Sequence, residues 1–172
     1  MKLTKRSAIA VAGLGSLAAA AVIAVPSGSA QVPGATTIAF YEPDAGSIFR
    51  ITDNPPKSPS KNPESPKYRF SFGDNLTISA PLFDRKGGTR QGRLYAQGSV
   101  VKGKTFRDVS LHVNGTYVLN DGSQIAVQGV LSFASDVTFS VVGGTGKYEG
   151  ARGHVTSHED DDSSTDTLTL LP

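Results

Sequence analysis

The stretch from Gly122 to His158 constrains the fold of this chain more than any other. Apolar and polar residues alternate in it on both sides of a short polar break, and such alternation is typical of half-buried β-strands. The segment Gly143-Gly144-Thr145-Gly146 then allows a sharp turn, because glycine adopts positive φ at no steric cost. The stretch therefore predicts antiparallel strands joined by tight turns. Its alternating apolar positions are Ile125, Val127, Leu131, Phe133, Val137, Phe139 and Val141.

The same alternation continues through most of the chain after residue 30. It predicts further strands at 36–43, 46–52, 68–72, 76–83, 91–101, 106–119 and 167–171. Asn120-Asp121-Gly122 is a strong hairpin-turn signal, and no helical period appears after residue 30. About eight short strands without helices predict an all-β fold, either a barrel or a sandwich.

The N-terminal segment predicts a secretory signal peptide over residues 1–30. Lys2, Lys5 and Arg6 form a basic start, residues 8–25 are apolar, and Ala30 ends a small-residue cleavage region. An uncleaved membrane anchor is the alternative, but the Ala- and Gly-rich run is weakly hydrophobic. We expect a secreted chain, with an Ala-rich signal typical of bacteria, whose single domain spans residues 31–172.

Composition excludes several classes of protein. The chain has no cysteine, so a secreted domain must rely on its core, a closed sheet or an oligomer interface instead of disulfides. The net charge of +2 lies partly in the signal peptide, and no basic stripe typical of nucleic-acid binding appears. His154 and His158 lie about 13 Å apart on one predicted strand, too far to share a metal. We expect no metal and no cofactor.

Two segments interrupt the strand pattern. The loop 53–66 carries five prolines, which cannot join a sheet interior, and we interpret it as a solvated connection in preference to a flap over a barrel mouth. Residues 159–166 are acidic and polar and precede the closing strand, and the run 159–162 within them is typical of a solvated hairpin tip.

Glu42 is the first candidate functional residue. It shares parity with Ile38 and Phe40, so if these face an interior, Glu42 faces it too. A carboxylate on an apolar face is costly unless it is paired or hydrogen-bonded. The alternative is a solvated residue at the strand end, next to Pro43.

The glycine-rich motif and its flanks resemble a known superfamily. Gly143 to Tyr148 followed by Ala151-Arg152-Gly153 is similar to the signature of dirigent proteins, and the region from Gly122 onward resembles the C-terminal half of allene oxide cyclases. Tyr41-Glu42, Asp74-Asn75-Leu76-Thr77 and the run 92–98 extend the resemblance to nearly the whole mature chain. It implies an eight-stranded antiparallel β-barrel and a homotrimer.

The resemblance also implies site residues. Allene oxide cyclases close a ring in an unstable fatty-acid epoxide, and their first-strand glutamate and water-holding serine and asparagine match Glu42, Ser47 and Asn75. Dirigent proteins steer phenoxy-radical coupling or ring closure with aspartates and an arginine, which match Asp44, Asp136 and Arg152. Asp136 as a turn residue and Arg152 as a surface partner of the acidic segment remain alternatives.

The predicted function is steering of the cyclisation, isomerisation or stereoselective coupling of a small hydrophobic compound without a cofactor. The predicted catalytic residues are Glu42, Asp44, Asn75, Asp136 and Arg152, and the predicted substrate-binding residues are Phe40, Ser47, Tyr68 and Phe70. The alternative function is a non-catalytic secreted barrel that binds or carries a hydrophobic ligand.

Overall fold

A computed structural model describes residues 33–62, 65–133 and 136–172, so the predicted signal peptide lies outside the described residues. The described chain forms β-strands and one short 3-10 helix, Gly146–Tyr148. No helix within these ranges is long and apolar enough to cross a membrane. The strands are β1 (Thr36–Pro43), β2 (Ile48–Thr52), β3 (Asn75–Phe83), β4 (Arg90–Lys102), β5 (Ser110–Leu119), β6 (Gln124–Ser132), β7 (Val137–Thr145), β8 (Gly153–Glu159) and β9 (Ser163–Leu170).

These strands form one closed antiparallel sheet. Each strand from β2 to β9 pairs with its sequence neighbour, and β9 pairs with β1. Closure comes from β3, which pairs with β1 through Tyr41 and Phe83 and with β2 through Ile48 and Ser79. Because β1 and β2 follow one another along the same edge of β3, they occupy one position around the ring. The predicted eight-stranded antiparallel β-barrel is confirmed.

The break between β1 and β2 lies opposite a proline. Pro81 is located on β3 between Ser79, which pairs with β2, and Phe83, which pairs with β1. Proline has no backbone N–H to donate, and Pro81 is paired with Arg93 of β4 on its other side. Gly46 turns the chain at the break with a φ of 85°.

Inward-facing side chains fill the barrel as two apolar clusters. The inward positions alternate along each strand, as the sequence pattern predicts. The first cluster contains Phe40, Ala80, Leu82, Leu94, Tyr117, Leu119, Ile125, Val127, Val141, Val155, Leu168 and Leu170. The second contains Phe49, Tyr68, Phe70, Leu76, Val100, Val109, Leu111 and Val113.

The predicted strand at residues 68–72 is wrong. Tyr68 and Phe70 are buried, but the segment joins no sheet ladder and Phe72 is 76% exposed. Its backbone bonds to a loop and not to a strand, since the Phe70 amide donates to the Lys104 carbonyl at 2.9 Å. The alternation there reflects two aromatic anchors of an irregular segment and not a pleated strand.

Asp74 connects this segment to the loop that precedes it. Its buried carboxylate accepts hydrogen bonds from the Ser71 amide and hydroxyl and from the Asn54 amide, each at 3.0 Å. Within the proline-rich loop, the Asp53 carboxylate accepts from the Ser58 amide at 2.9 Å. These hydrogen bonds satisfy several backbone amides of the described part of the loop and attach its start to the segment before β3.

The closing strand is longer than the sequence pattern predicts. It begins at Ser163 and not at Thr167, so Asp166 belongs to β9. Only residues 160–162 form the turn between β8 and β9. Asp166 is 4% exposed, so the last residue of the acidic segment 159–166 is buried within the strand and does not belong to the turn.

Candidate functional site

The barrel contains an internal cavity of about 230 Å³ that is partly apolar and partly acidic. It lies between side chains from every strand of the barrel. The lining residues are Glu42, Phe49, Ile78, Leu94, Ala96, Val113, Gly115, Tyr117, Val127, Leu131, Ser132, Phe133, Asp136, Val137, Phe139, Ser157, Glu159, Ser164 and Asp166.

One wall of the cavity is polar, and strand register explains why. Ser164 on β9 is paired with Glu42 on β1 and with Glu159 on β8, which places the three side chains in one row. Asp166 is paired with Ser157 on β8 and forms the next row with the same inward parity. Two neighbouring rows of carboxylates and hydroxyls therefore face the cavity from β1, β8 and β9.

The opposite wall is apolar. It comes from the inward positions of β3 to β7, where Ile78, Leu94, Val113, Val127 and Phe139 line the cavity. These residues belong to the alternating runs that predict the strands. The cavity thus presents an apolar surface to one side of a bound molecule and hydrogen-bonding groups to the other.

Tyr117 lies between the two walls and bonds to the polar one. Its hydroxyl donates to the Asp166 carboxylate at 2.6 Å, and its ring stacks on Phe40 with centroids 5.8 Å apart. Burial raises the pKa of Tyr117 well above its ordinary value, and the charges of Asp166 and then Glu42 raise it further. Tyr117 therefore stays protonated and acts as a fixed hydrogen-bond donor.

Asp136 marks the mouth of the cavity. It lines the cavity although its side chain is 61% exposed, so the cavity reaches solvent at this point. The His158 Nδ1 atom lies 3.1 Å from its carboxylate, and His158 Nε2 lies 3.9 Å from Asp160. This contact joins the start of β7 to the end of β8 at the rim.

Of the predicted catalytic residues, Glu42 and Asp136 line the cavity. Glu42 is 1% exposed, so it faces the interior and is not a solvated strand end. Asp44 belongs to the turn after β1, where its amide donates to the Asp162 carbonyl at 3.0 Å. Ser47 is in the same turn and donates its hydroxyl to the Pro43 carbonyl at 2.7 Å. Neither Asp44 nor Ser47 lines the cavity.

Asn75 and Arg152 are on the outside of the barrel, which corrects their placement in the pocket. Asn75 is exposed and accepts a hydrogen bond from the Ser99 hydroxyl at 2.9 Å. Its neighbour Leu76 faces inward, so strand alternation directs Asn75 outward. Arg152 is exposed and donates to the carbonyl of Pro172.

The predicted substrate-binding aromatics support the cavity without lining it. Phe40 packs behind Tyr117 in the first apolar cluster. Tyr68 and Phe70 pack edge to face in the second cluster, with centroids 4.9 Å apart. These three side chains stabilise the walls instead of touching the enclosed space.

Several polar cavity residues escaped the sequence analysis, above all Tyr117 and Asp166. A signal for Asp166 was present, since it shares parity with Leu168 and Leu170, and the inward pattern extends back through it. Tyr117 likewise belongs to the alternating apolar set of its strand. Within the described ranges, no group of three or more His, Asp or Glu side chains is arranged to hold a metal ion.

Fold and site together define a closed eight-stranded antiparallel barrel with an amphipathic internal cavity. The chain belongs to the dirigent-like protein family, whose family model matches residues 35–171. The superfamily resemblance seen in the sequence is therefore confirmed. No significantly similar sequence is found among curated proteins.

Solved structures share the fold at low sequence identity. A pyocyanin demethylase is similar with a TM-score of 0.56 and 17% identity, covering 80% of this chain and 99% of its own. The pterocarpan synthase dirigent protein PsPTS1 has a TM-score of 0.56 and 18% identity, covering 81% of this chain and 95% of its own. The pterocarpan synthase dirigent protein GePTS1 has a TM-score of 0.56 and 16% identity, covering 83% of this chain and 86% of its own.

Proposed function

We propose that this protein binds a small hydrophobic compound in the barrel cavity and steers its cyclisation, isomerisation or stereoselective coupling. The observation that carries the proposal is the buried contact between Tyr117 and Asp166, which faces an apolar wall inside the barrel cavity. Family membership supports the same kind of function, because dirigent proteins steer the coupling or ring closure of small phenolic compounds.

The cavity supplies two contributions to such a reaction. The apolar wall restricts the bound molecule to one conformer, and holding reactive atoms in one orientation accelerates ring closure or coupling. The polar wall accepts protons: a carboxylate of Glu42 or Asp166 takes a proton from a reacting hydroxyl. The Tyr117 hydroxyl holds the Asp166 carboxylate in position through the hydrogen bond that it donates. Neither contribution requires a cofactor.

The test is a stereochemical assay on the mature protein. A propenylphenol is oxidised by a separate one-electron oxidant, and the enantiomeric excess of the coupled product is measured with and without the protein. A second assay follows ring closure of an ortho-hydroxy quinone methide precursor. We expect enantiomeric excess in at least one assay, lost in Asp166→Asn and kept in Glu149→Gln, which removes an exposed carboxylate outside the cavity.

A carrier function makes a different prediction in the same experiment. A barrel that only binds its ligand shows saturable binding of the phenol but yields a racemic product. Binding without enantiomeric excess would therefore replace steering by transport, and absence of binding would contradict both functions.

We also propose that the chain is exported and forms a homotrimer. The basic start, the apolar run 8–25 and the small residues before Ala30 support export with cleavage after Ala30. The trimer is supported by the resemblance to the two families. The intact mass of protein recovered outside the cell tests the cleavage site, and native mass spectrometry of that material tests the trimer.

A further inference from the structure

A second recess lies on the outer face of the barrel, where β3, β4 and β5 pair with one another. Its volume is about 200 Å³, and it shares no lining residue with the internal cavity. Strand register builds it from two neighbouring rows of outward-facing side chains, with the paired residues Leu76 and Gly98 between them. One row is Asn75, Ser99 and His112, and the other is Thr77, Gln97 and Asn114.

The six side chains of these rows are exposed and can all form hydrogen bonds. Among the described residues that line the recess, none is a carboxylate, a lysine or an arginine. An ionic ligand therefore meets no side chain of fixed opposite charge there. Amides and hydroxyls both donate and accept, so the recess suits a neutral ligand with groups that do the same.

The rim of the recess is held in place by hydrogen bonds within the protein. The Ser99 hydroxyl donates to Asn75 Oδ1 at 2.9 Å, and the Asn75 amide donates to the Gly73 carbonyl at 2.8 Å. On the other side, the Gln128 amide donates to Asn114 Oδ1 at 2.8 Å. These contacts orient two amides of the rim before any ligand binds, which lowers the entropy that binding costs.

The centre of the recess is open to a ligand. The side chains of Thr77, Gln97 and His112 form no hydrogen bond with any other described residue. Gln97 is paired with Thr77 on β3 and with Asn114 on β5, so its amide is central in its row. A ligand can bond to these three groups without breaking a hydrogen bond of the protein.

An exposed aromatic ring extends the recess along β4. Tyr95 is 50% exposed and precedes Gln97 by two residues, so both side chains are on the outer face. Alternate residues of a strand are about 7 Å apart, close enough for one ligand to contact both. The tyrosine ring offers a flat apolar surface beside the polar groups of the recess.

We propose that this recess is a second binding site, for a neutral saccharide. A sugar ring has hydroxyls that donate and accept hydrogen bonds, no charge, and a flat C–H face that packs on an aromatic ring. The recess is smaller than the roughly 300–1,000 Å³ of pockets that enclose a drug-sized ligand. It therefore takes one sugar residue of a longer chain, and the neighbouring residue lies against Tyr95. The site is outside the barrel and does not rest on the chemistry of the cavity.

A second copy of this chain fits the recess less well. The centre of a protein–protein interface is mostly apolar, whereas amides, hydroxyls and an imidazole line this recess. A protein surface that covered Gln97 and His112 would need a matched partner for each, since a buried polar group without one costs free energy.

The test is a binding screen of the mature protein on immobilised hexasaccharides. The probes are β-glucan, mannan, galactan and chitin fragments, with a galacturonan fragment as the charged comparison. The protein is made in a bacterial host without N-glycosylation, because Asn75 and Asn114 each begin an Asn-X-Thr acceptor sequence. We expect at least one neutral probe to bind more tightly than galacturonan, and isothermal titration calorimetry then measures its affinity.

Matched variants connect the affinity to the recess. Gln97→Ala and His112→Ala should each weaken binding by about two- to tenfold, the effect of one lost hydrogen bond. Tyr95→Ala should also weaken it, through the lost ring. Gln124→Ala and His154→Ala remove the same side chains from exposed positions outside the recess and should leave the affinity unchanged.

The possible results are distinct. Absence of binding to all four neutral probes overturns the proposal, and so does an affinity that neither Gln97→Ala nor His112→Ala changes. A change of oligomeric state in Gln97→Ala, seen by native mass spectrometry without saccharide binding by the wild type, would assign the recess to a second copy instead. Gln97→Ala should keep the enantiomeric excess of the cavity reaction, so the two proposals stand or fall separately.

Discussion

Tyr117 and Asp166 are 49 residues apart in sequence and form a 2.6 Å hydrogen bond inside the barrel. Both side chains are buried, with exposures of 2% and 4%. Tyr117→Phe keeps the ring stack on Phe40 but leaves a buried carboxylate without this donor. We expect a loss of about 1–3 kcal/mol in the free energy of unfolding, measured with urea. Tyr95→Phe, at a half-exposed position, is the control, and an equal effect of both variants would contradict the prediction.

The buried phenols of Tyr68 and Tyr117 should make the protein less stable at alkaline pH. Burial raises the pKa of both Tyr68 and Tyr117, and the charges of Asp74 and Asp166 respectively raise them further. In the unfolded chain the two phenols ionise near pH 10, about their ordinary pKa. Their contribution to the free energy of unfolding is therefore complete below that pH, and it is lost as the pH rises toward the pKa values of the folded state. We expect the free energy of unfolding to fall above about pH 10, and Tyr68→Phe with Tyr117→Phe to flatten that slope. An unchanged slope in the double variant would contradict the assignment.

Glu42 and Asp44 form a matched pair of acidic residues on the two sides of Pro43. Glu42 faces the cavity, whereas Asp44 is in the turn and does not line it. We expect Glu42→Gln to reduce the rate of steered product formation by about a hundredfold or more, the size of a lost acid–base group. Asp44→Asn should retain most of the rate, and circular dichroism should show both variants folded. Equal rates in wild type and Glu42→Gln would remove Glu42 from the chemistry.

Gly115 allows a test of the cavity volume. A Cβ atom added there would lie 3.1 Å from Val127 Cγ2, 3.5 Å from Ala96 Cβ and 3.6 Å from Leu94 Cδ1, on the apolar wall. Gly115→Ala should cost about 1 kcal/mol in stability, the low end for overpacking, since small shifts relieve the contact. It should also weaken the binding of a neutral aromatic alcohol, naphthylmethanol, several-fold as measured by titration calorimetry. Gly143→Ala adds the same methyl group where nothing lies within 4 Å and should bind normally.

We expect the Asp74 carboxylate to stabilise the long loop before β3. In Asp74→Asn an amide nitrogen replaces one of the two oxygens that accept hydrogen bonds from Ser71 and Asn54. We expect a loss of about 1–3 kcal/mol in the free energy of unfolding, and faster hydrogen exchange at the Asn54 and Ser71 amides. Asp53→Asn changes a carboxylate within the loop itself and should have a smaller effect. Unchanged exchange at both amides would show that Asp74 does not attach the loop.

Much of the barrel could be predicted because strand alternation is a local property. The predicted bounds of β1 are those of the structure, and the Asn120-Asp121-Gly122 turn connects two strands as expected. The strand prediction was wrong at Tyr68 and Phe70, because two aromatic residues two positions apart can both be buried in a segment that pairs with no strand. The prediction also started the closing strand after Asp166, because the acidic composition indicated a loop there. The inward parity of Leu168 and Leu170 in fact extends back to Asp166.

The sequence by itself determined the strands, their inward parity and the family, because these depend on the order of neighbouring residues. The parity of Glu42 with Phe40 indicated an interior position but left a solvated strand end as an alternative, and the burial of Glu42 in the structure decided between them. Only the tertiary structure decided which polar groups meet. Closure of the sheet places β9 between β1 and β8, and the register of those pairings brings Asp166 into the row next to that of Glu42 and within reach of Tyr117. Pairing across the closure depends on long-range register, which local alternation does not encode.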